Sequence, residues 1–270
     1  MSYYYVYGFM PTDVGIDYPE AAGIDGDDVK YAAEERITVV YTEVSPDVYG
    51  EAALQKQVED VQWLKEKAFH HHDIVQHLYK QGQVIPLTFG TVYENYQNVE
   101  ETARFYQDAM HELFEELEGT EEWSIKLFVD KDQYNTYMKN DSDLLQDRIK
   151  EIEAMPKGKQ FFEKRKLKEW LENASEEELK KKAHELHEQL QQLTKKASSK
   201  KNWSRQASGR KEEMFWNGVY LLAGEEQLKE VEALVRSFQD DYEHQGIIVE
   251  ATGPWPAYHF AVLPQMEKPD

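Results

Sequence analysis

Apolar and polar positions change period several times along this chain, and each change marks a new element. Over residues 3 to 10, Tyr3, Tyr5 and Tyr7 fall on one face and Tyr4 and Val6 on the other, which predicts a strand covered on both sides. Gly8 within it permits a bulge or the close approach of another backbone. After an Asp-, Gly- and Pro-rich stretch over 11 to 35, read as a loop, a second strand occupies 36 to 44 and Ser45-Pro46-Asp47 opens a helix. The apolar spacing there shifts to three and four: Leu54, Val58, Val61, Leu64 and Ala68, then Ile74, Val75 and Leu78. It predicts helix from 49 to 80, broken near Lys67, with these residues facing the sheet. The run at 84 to 91, Val-Ile-Pro-Leu-Thr-Phe-Gly-Thr, returns to a strand, and the chain is organised around it. Pro86 cannot donate to a ladder, so this strand lies at an edge or is bulged. A helix follows over 94 to 118, burying Val99, Ala103, Tyr106, Met110, Leu113 and Leu117, and Gly119-Thr120 ends it.

A clean alternating strand at 123 to 129 opens the second half. Helical spacing over 143 to 172 is interrupted at Met155-Pro156-Lys157-Gly158, and Ser175 with Glu178 has the spacing of a capping box, so a new helix is expected there. It carries a narrow seam, Leu179, Ala183, Leu186, Leu190, Leu193 and Ala197, which suits a two-helix hairpin or a partner helix. A strand at 214 to 223, a helix at 225 to 243 with Leu228, Val231, Leu234, Val235 and Phe238 inward, and a strand at 246 to 251 complete the pattern. This is an incomplete ferredoxin-like succession of elements. The expected fold is α+β in two domains: an N-terminal α/β domain over 1–120, and a C-terminal modified ferredoxin-like domain with a long helical hairpin over 121–270. The chain finishes in a rigid aromatic segment, Thr252-Gly253-Pro254-Trp255-Pro256-Ala257-Tyr258-His259-Phe260.

Composition narrows the function. Despite a mean hydropathy of -0.78, 40% hydrophobic residues and 17 tyrosines over 270 residues are enough to bury a core. A net charge of -21 argues against a general nucleic-acid binder or a protein resting on anionic lipid. Cysteine is absent, which excludes disulfides and thiolate metal sites, and no window resembles a signal peptide or a membrane span. The expectation is a soluble cytoplasmic protein with protein partners and no cofactor. The acidic cluster from Gly23 to Asp28 lacks the oxygen-ligand alternation of a calcium loop. His70-His71-His72-Asp73 with His77 is the one histidine cluster. Asp73 and His77 share a helix face that His72 adjoins, so a metal site or a hydrolase centre is conceivable. Three consecutive residues point in three directions, however, and partly exposed histidines with one structural hydrogen bond are the simpler reading. Charge is uneven: residues 157 to 168 hold six basic side chains and one acidic, 195 to 211 hold seven basic and none acidic, and the first sixty hold thirteen acidic and three basic. That asymmetry could steer head-to-tail contacts or dock an acidic partner.

Three separated pieces agree with one family. The run from Val84 to Thr91 resembles a Val-Leu-Pro-Leu-Arg-Phe-Gly-Thr signature, Trp123-Ser124-Ile125-Lys126 resembles a Glu-Trp-x-Val-Lys strand, and Thr252 to Phe260 resembles a Thr-Gly-Pro-Trp-Pro-Pro-Tyr-x-Phe ending. The aromatic start and His72 also fit the GvpF/GvpL family of gas vesicle accessory proteins. Thr88 replaces the usual arginine and Ala257 a usual proline. The resemblance implies a non-enzymatic protein of gas vesicle assembly, minor in the vesicle, that binds the major shell protein and other accessory proteins. With the fixed backbones and aromatic anchors of the two motifs, it points to Pro86, Leu87, Phe89, Gly90, Gly253, Pro254, Trp255, Pro256 and Tyr258 as protein-binding residues. The alternative for these residues is that they lock the core. A coiled-coil adaptor, resting on the seam after Leu179, and a hydrolase using His72, Asp73 and His77 are the rival functions.

Overall fold

A computed structural model of the chain describes residues 2–12 and 22–263, so part of the predicted loop, 13–21, lies outside the described residues. Two compact units are present: Met1–Glu122 together with Pro254–Asp270, and Trp123–Gly253. The expected division at 120/121 assigned the whole C-terminal segment to the second domain; its described residues 254–263 fall in the first unit.

The first unit is built on β1 (Tyr3–Pro11), β2 (Lys30–Glu34), β3 (Ile37–Val44), α1 (Pro46–Tyr49), α2 (Glu51–Gln57), α3 (Val61–Gln81), β4 (Ile85–Pro86), β5 (Val92–Tyr93), α4 (Tyr96–Phe105) and α5 (Gln107–Leu117). The strands form one antiparallel sheet in the order β2-β3-β1-β4, with β5 also on β1. Tyr5, Val6 and Tyr7 are fully buried, so both faces of β1 are covered. Tyr5, Tyr7 and Met10 pack with Val75 and Leu78 of α3, while Tyr4 meets Tyr96 of α4 with ring centroids 5.5 Å apart. Gly8 serves both purposes open to it: the β1–β3 register shifts beside it, and a Cβ there would lie 2.6 Å from the Ile85 carbonyl of β4.

Two local expectations need correction. Part of the predicted loop is strand β2, an edge strand whose Lys-Tyr-Ala-Ala-Glu sequence has little apolar alternation to reveal it. The helix expected over 49 to 80 breaks not near Lys67 but at 58 to 60, where the Asp60 carboxylate accepts from the Gln62 and Trp63 amides at 2.9 and 3.2 Å and starts α3. The new start rotates the stripe, so Val58 and Val61 are exposed rather than facing the sheet.

The second unit carries β6 (Thr120–Val129), α6 (Lys131–Asn140), α7 (Asp143–Glu153), α8 (Lys157–Leu193), β7 (Lys196–Ser199), α9 (Arg205–Ser208), β8 (Glu213–Ala223), α10 (Gly224–Tyr242) and β9 (Ile247–Trp255), the first and last of these strands running past the unit's ends. The sheet order is β7-β8-β6-β9. Strand β7, hidden in a basic stretch, supplies the element that the sequence pattern lacked and makes the βαββαβ succession complete. Helix α8 runs unbroken through Ser175, contrary to the expected restart. Its N-terminal half pairs with α7 as the hairpin, held by Arg148 on Glu163 at 2.7 Å. The seam Leu179, Ala183, Leu186 and Leu190 lies in the core with Leu127, Tyr220 and Leu222 of the sheet. Ala197 belongs to β7 instead of the helix. A seam already covered by its own sheet is not offered to a partner helix, which removes the basis of the coiled-coil adaptor.

Candidate functional site

Both motifs singled out in the sequence meet helix α3 in the first unit. After β4 the chain leaves the ladder and returns at β5: Pro86 pairs with Gly8, yet Val92 pairs with Tyr5, so more residues separate the contacts on this strand than on β1. The surplus forms a bulged loop closed by Thr91 N–H donating to the Thr88 carbonyl at 3.1 Å, with Gly90 at φ +86°. His71 of α3 holds this loop from within. Its Nε2 lies 3.1 Å from the Leu87 carbonyl and its Nδ1 2.8 Å from the Tyr5 hydroxyl, which also accepts from Gly90 N–H at 3.2 Å. A carbonyl only accepts, so Nε2 carries the proton and Nδ1 receives that of Tyr5. The relay runs from Gly90 to Tyr5 to His71, and His71 in turn donates to Leu87. It requires a neutral imidazole, and burial pushes the His71 pKa down to about 4 against the pull of the Leu87 hydrogen bond. Burial likewise pushes the Tyr5 hydroxyl well above its ordinary range. Tyr7 stacks on His71 at 5.6 Å, and Phe89 sets its ring near Tyr5, His71 and Trp63, so Phe89 is half inside the core.

The next residue holds the second motif. His72 Nδ1 lies 3.1 Å from the Tyr258 hydroxyl, and its ring is 5.5 Å from Trp255 and 5.9 Å from Tyr258. The turn after Pro256 is fixed by Glu122, 4% exposed, whose carboxylate accepts the His259 and Phe260 amides at 2.9 and 3.2 Å. Burial, reinforced by Glu122, pushes the Tyr258 hydroxyl upward.

The predicted site residues divide by burial. Pro86 and Pro256 are buried; Leu87, Phe89, Gly90 and Trp255 are half-buried; Pro254 and Tyr258 are exposed. Gly253 lies in the second unit, where a Cβ would stand 2.6 Å from the Trp123 ring. Asp73 and His77 are exposed on α3, while His72 is engaged with the tail. Among the described residues no three His, Asp or Glu side chains gather as metal donors, and no helix is long and apolar enough to cross a membrane.

Tyr5 and His71 carried only structural expectations in the sequence, a strand face and a histidine cluster with one structural hydrogen bond, and Glu122 was not singled out. His71 was legible: Leu64, Ala68, His71, Val75 and Leu78 step by four and three, which puts the imidazole on the apolar stripe. Glu122 stands where the Glu-Trp-x-Val-Lys signature has its glutamate, but its partners stand more than a hundred residues away, beyond any local window.

The fold is that of known gas vesicle proteins. Crystal structures of GvpF from Anabaena sp. PCC7120 and of GvpF from Microcystis aeruginosa superpose with TM-scores of 0.71 and 0.65, each at 18% identity, covering 98% and 97% of this chain and 100% of theirs. Gas vesicle protein L of Streptomyces sp. (strain CB03234) is 22% identical over 260 residues, 95% of this chain and 92% of that protein. The sequence profile described as "Gas vesicle synthesis protein GvpL/GvpF" matches residues 3–262, and the chain belongs to that family. Its role is therefore tied to gas vesicles, and its relatives are named as gas vesicle proteins, not as enzymes.

Proposed function

We propose that the chain is a non-enzymatic accessory protein of gas vesicle assembly, which binds the small hydrophobic shell protein and other accessory proteins through the face where the 87–91 loop and the 254–258 segment rest on α3. One observation carries the reading: consecutive residues of one helix, His71 and His72, hold the two motifs. Each side chain at these positions fixes backbone or another side chain, an arrangement suited to presenting a rigid surface rather than to moving protons or electrons. Leu87, Phe89, Trp255 and Tyr258 supply the aromatic and apolar contact area, and the buried Pro86 and Pro256 shape it from beneath.

The test is capture of purified major shell protein by immobilised parent, Phe89→Ala and Trp255→Ala chains, each also followed by thermal melting. Variants that melt like the parent yet lose capture establish the face. Variants that capture normally while folded place binding elsewhere. If both unfold, the motifs are core, and Tyr258→Ala, at an exposed position, and Leu87→Ser decide in the same assay.

A further inference from the structure

Two other surfaces of this chain match each other. On the first turns of α8, Phe161 and Phe162 are 61% and 63% exposed and lie edge to face at 5.8 Å. Residues three and four apart on a helix are neighbours, so Phe161 is flanked by Lys157, Lys164 and Arg165, and Phe162 by Lys159 and Lys166. Arg165 lies 5.9 Å over the Phe161 ring, and the one acidic side chain in the run, Glu163, is bound by Arg148. The patch thus combines exposed aromatic rings with unneutralised positive charge, on a chain whose net charge is -21.

The counterpart lies on α4 and α5. Residues 94 to 118 contain eight acidic side chains and one basic, Arg104. In their midst Phe105, where α4 gives way to α5, is 75% exposed. Glu101, four residues before Phe105 on α4, and Asp108 and Glu112 on α5 are all exposed. An exposed aromatic within negative charge faces the same solvent as exposed aromatics within positive charge, which is complementarity in both apolar and electrostatic terms.

We infer that this chain binds a second copy of itself head to tail, the basic Phe161–Phe162 end of α8 in one copy docking on the acidic α4–α5 surface around Phe105 in the next. The contact is heterologous, so each copy retains one free patch of either kind and association can continue beyond a dimer. Opposite charges steer the encounter and the rings supply contact area.

Sedimentation equilibrium of the purified full chain tests this. In about 0.01 M sodium chloride, where screening extends over about 30 Å, the average mass should rise with concentration; in about 1 M, where it shrinks to about 3 Å, the mass should fall toward the monomer. Phe161→Ala/Phe162→Ala and Phe105→Ala should each weaken association by about tenfold or more, the loss expected of a central aromatic anchor. A charge exchange makes the test specific. Lys164→Glu/Lys166→Glu and Glu101→Lys/Glu112→Lys should each be monomeric alone and should associate when mixed, since each then offers the patch that the other lacks. Melting temperatures near the parent's confirm that the variants fold. A parent that stays monomeric at every concentration and low salt overturns the inference. So does parent-like association in the phenylalanine variants, or a mixture of charge variants that remains monomeric.

Discussion

His71 is a buried base held neutral by its surroundings, and its protonation has a definite consequence. The folded pKa is about 4 and the ordinary value is 6.5. Between those limits the unfolded chain binds the extra proton, so stability falls as pH is lowered from about 6.5 and the loss is complete below about 4. The shift corresponds to roughly 3 kcal/mol. Urea unfolding across this range should show the parent losing more stability than His71→Gln, which has no proton to gain; equal slopes would contradict the assignment. Imidazole nitrogen shifts of the folded parent read the same relay directly, with Nε2 protonated and Nδ1 not. Tyr5→Phe removes the acceptor for Gly90 N–H and the donor to His71, and should destabilise by about 1–3 kcal/mol. A similar deficit is expected for Glu122→Gln, which weakens the two amide bonds at the 259–260 turn. Amide exchange at His259 and Phe260 should quicken in that variant while α3 remains protected.

Helix α8 shows how an element can contradict a correct local motif. Ser175 and Glu178 have capping-box spacing, yet a cap needs a chain that enters from outside the helix. Here Leu167, Leu171, Ser175, Leu179 and Ala183 continue one stripe at intervals of four, with no glycine or proline between them, and the helix passes straight through. Ser175 therefore occupies a core position, buried, its hydroxyl without a hydrogen-bond partner among the described residues. Ser175→Ala should raise stability by about 1 kcal/mol, through better helix propensity and the loss of a buried unsatisfied group. Thermal melting checks it, and a lower melting temperature would mean that the hydroxyl is satisfied in solution. Strands β2 and β7 were missed for a different reason. Lys-Tyr-Ala-Ala-Glu and Lys-Ala-Ser-Ser sit at sheet edges with half-exposed faces, so their pairing is set by the neighbours β3 and β8 rather than by their own pattern.

At the scale of the molecule, the tail after Gly253 completes the first unit although it follows the second in sequence. Truncation after Gly253 should lower the melting temperature, because it strips His72 of its aromatic neighbours and removes the two amide donors to the Glu122 carboxylate. An unchanged melt would show the tail to be dispensable. Chelator should leave the melt of the intact chain where it is. The α+β class, the strands at β1, β3, β6, β8 and β9, most helices and the two motif segments were legible in the sequence, because period and turn residues are local and a covered strand such as β1 must be apolar on both faces. The resemblance to gas vesicle proteins was legible for the same reason, being carried by short contiguous runs. The sequence could not show that the two runs lie against neighbouring residues of α3. Nor could it show that Tyr5, 66 residues from His71, completes the relay, or that the tail returns to the Glu122 carboxylate. Those relations belong to long-range packing, in which a side chain's role is decided by partners that no local window contains.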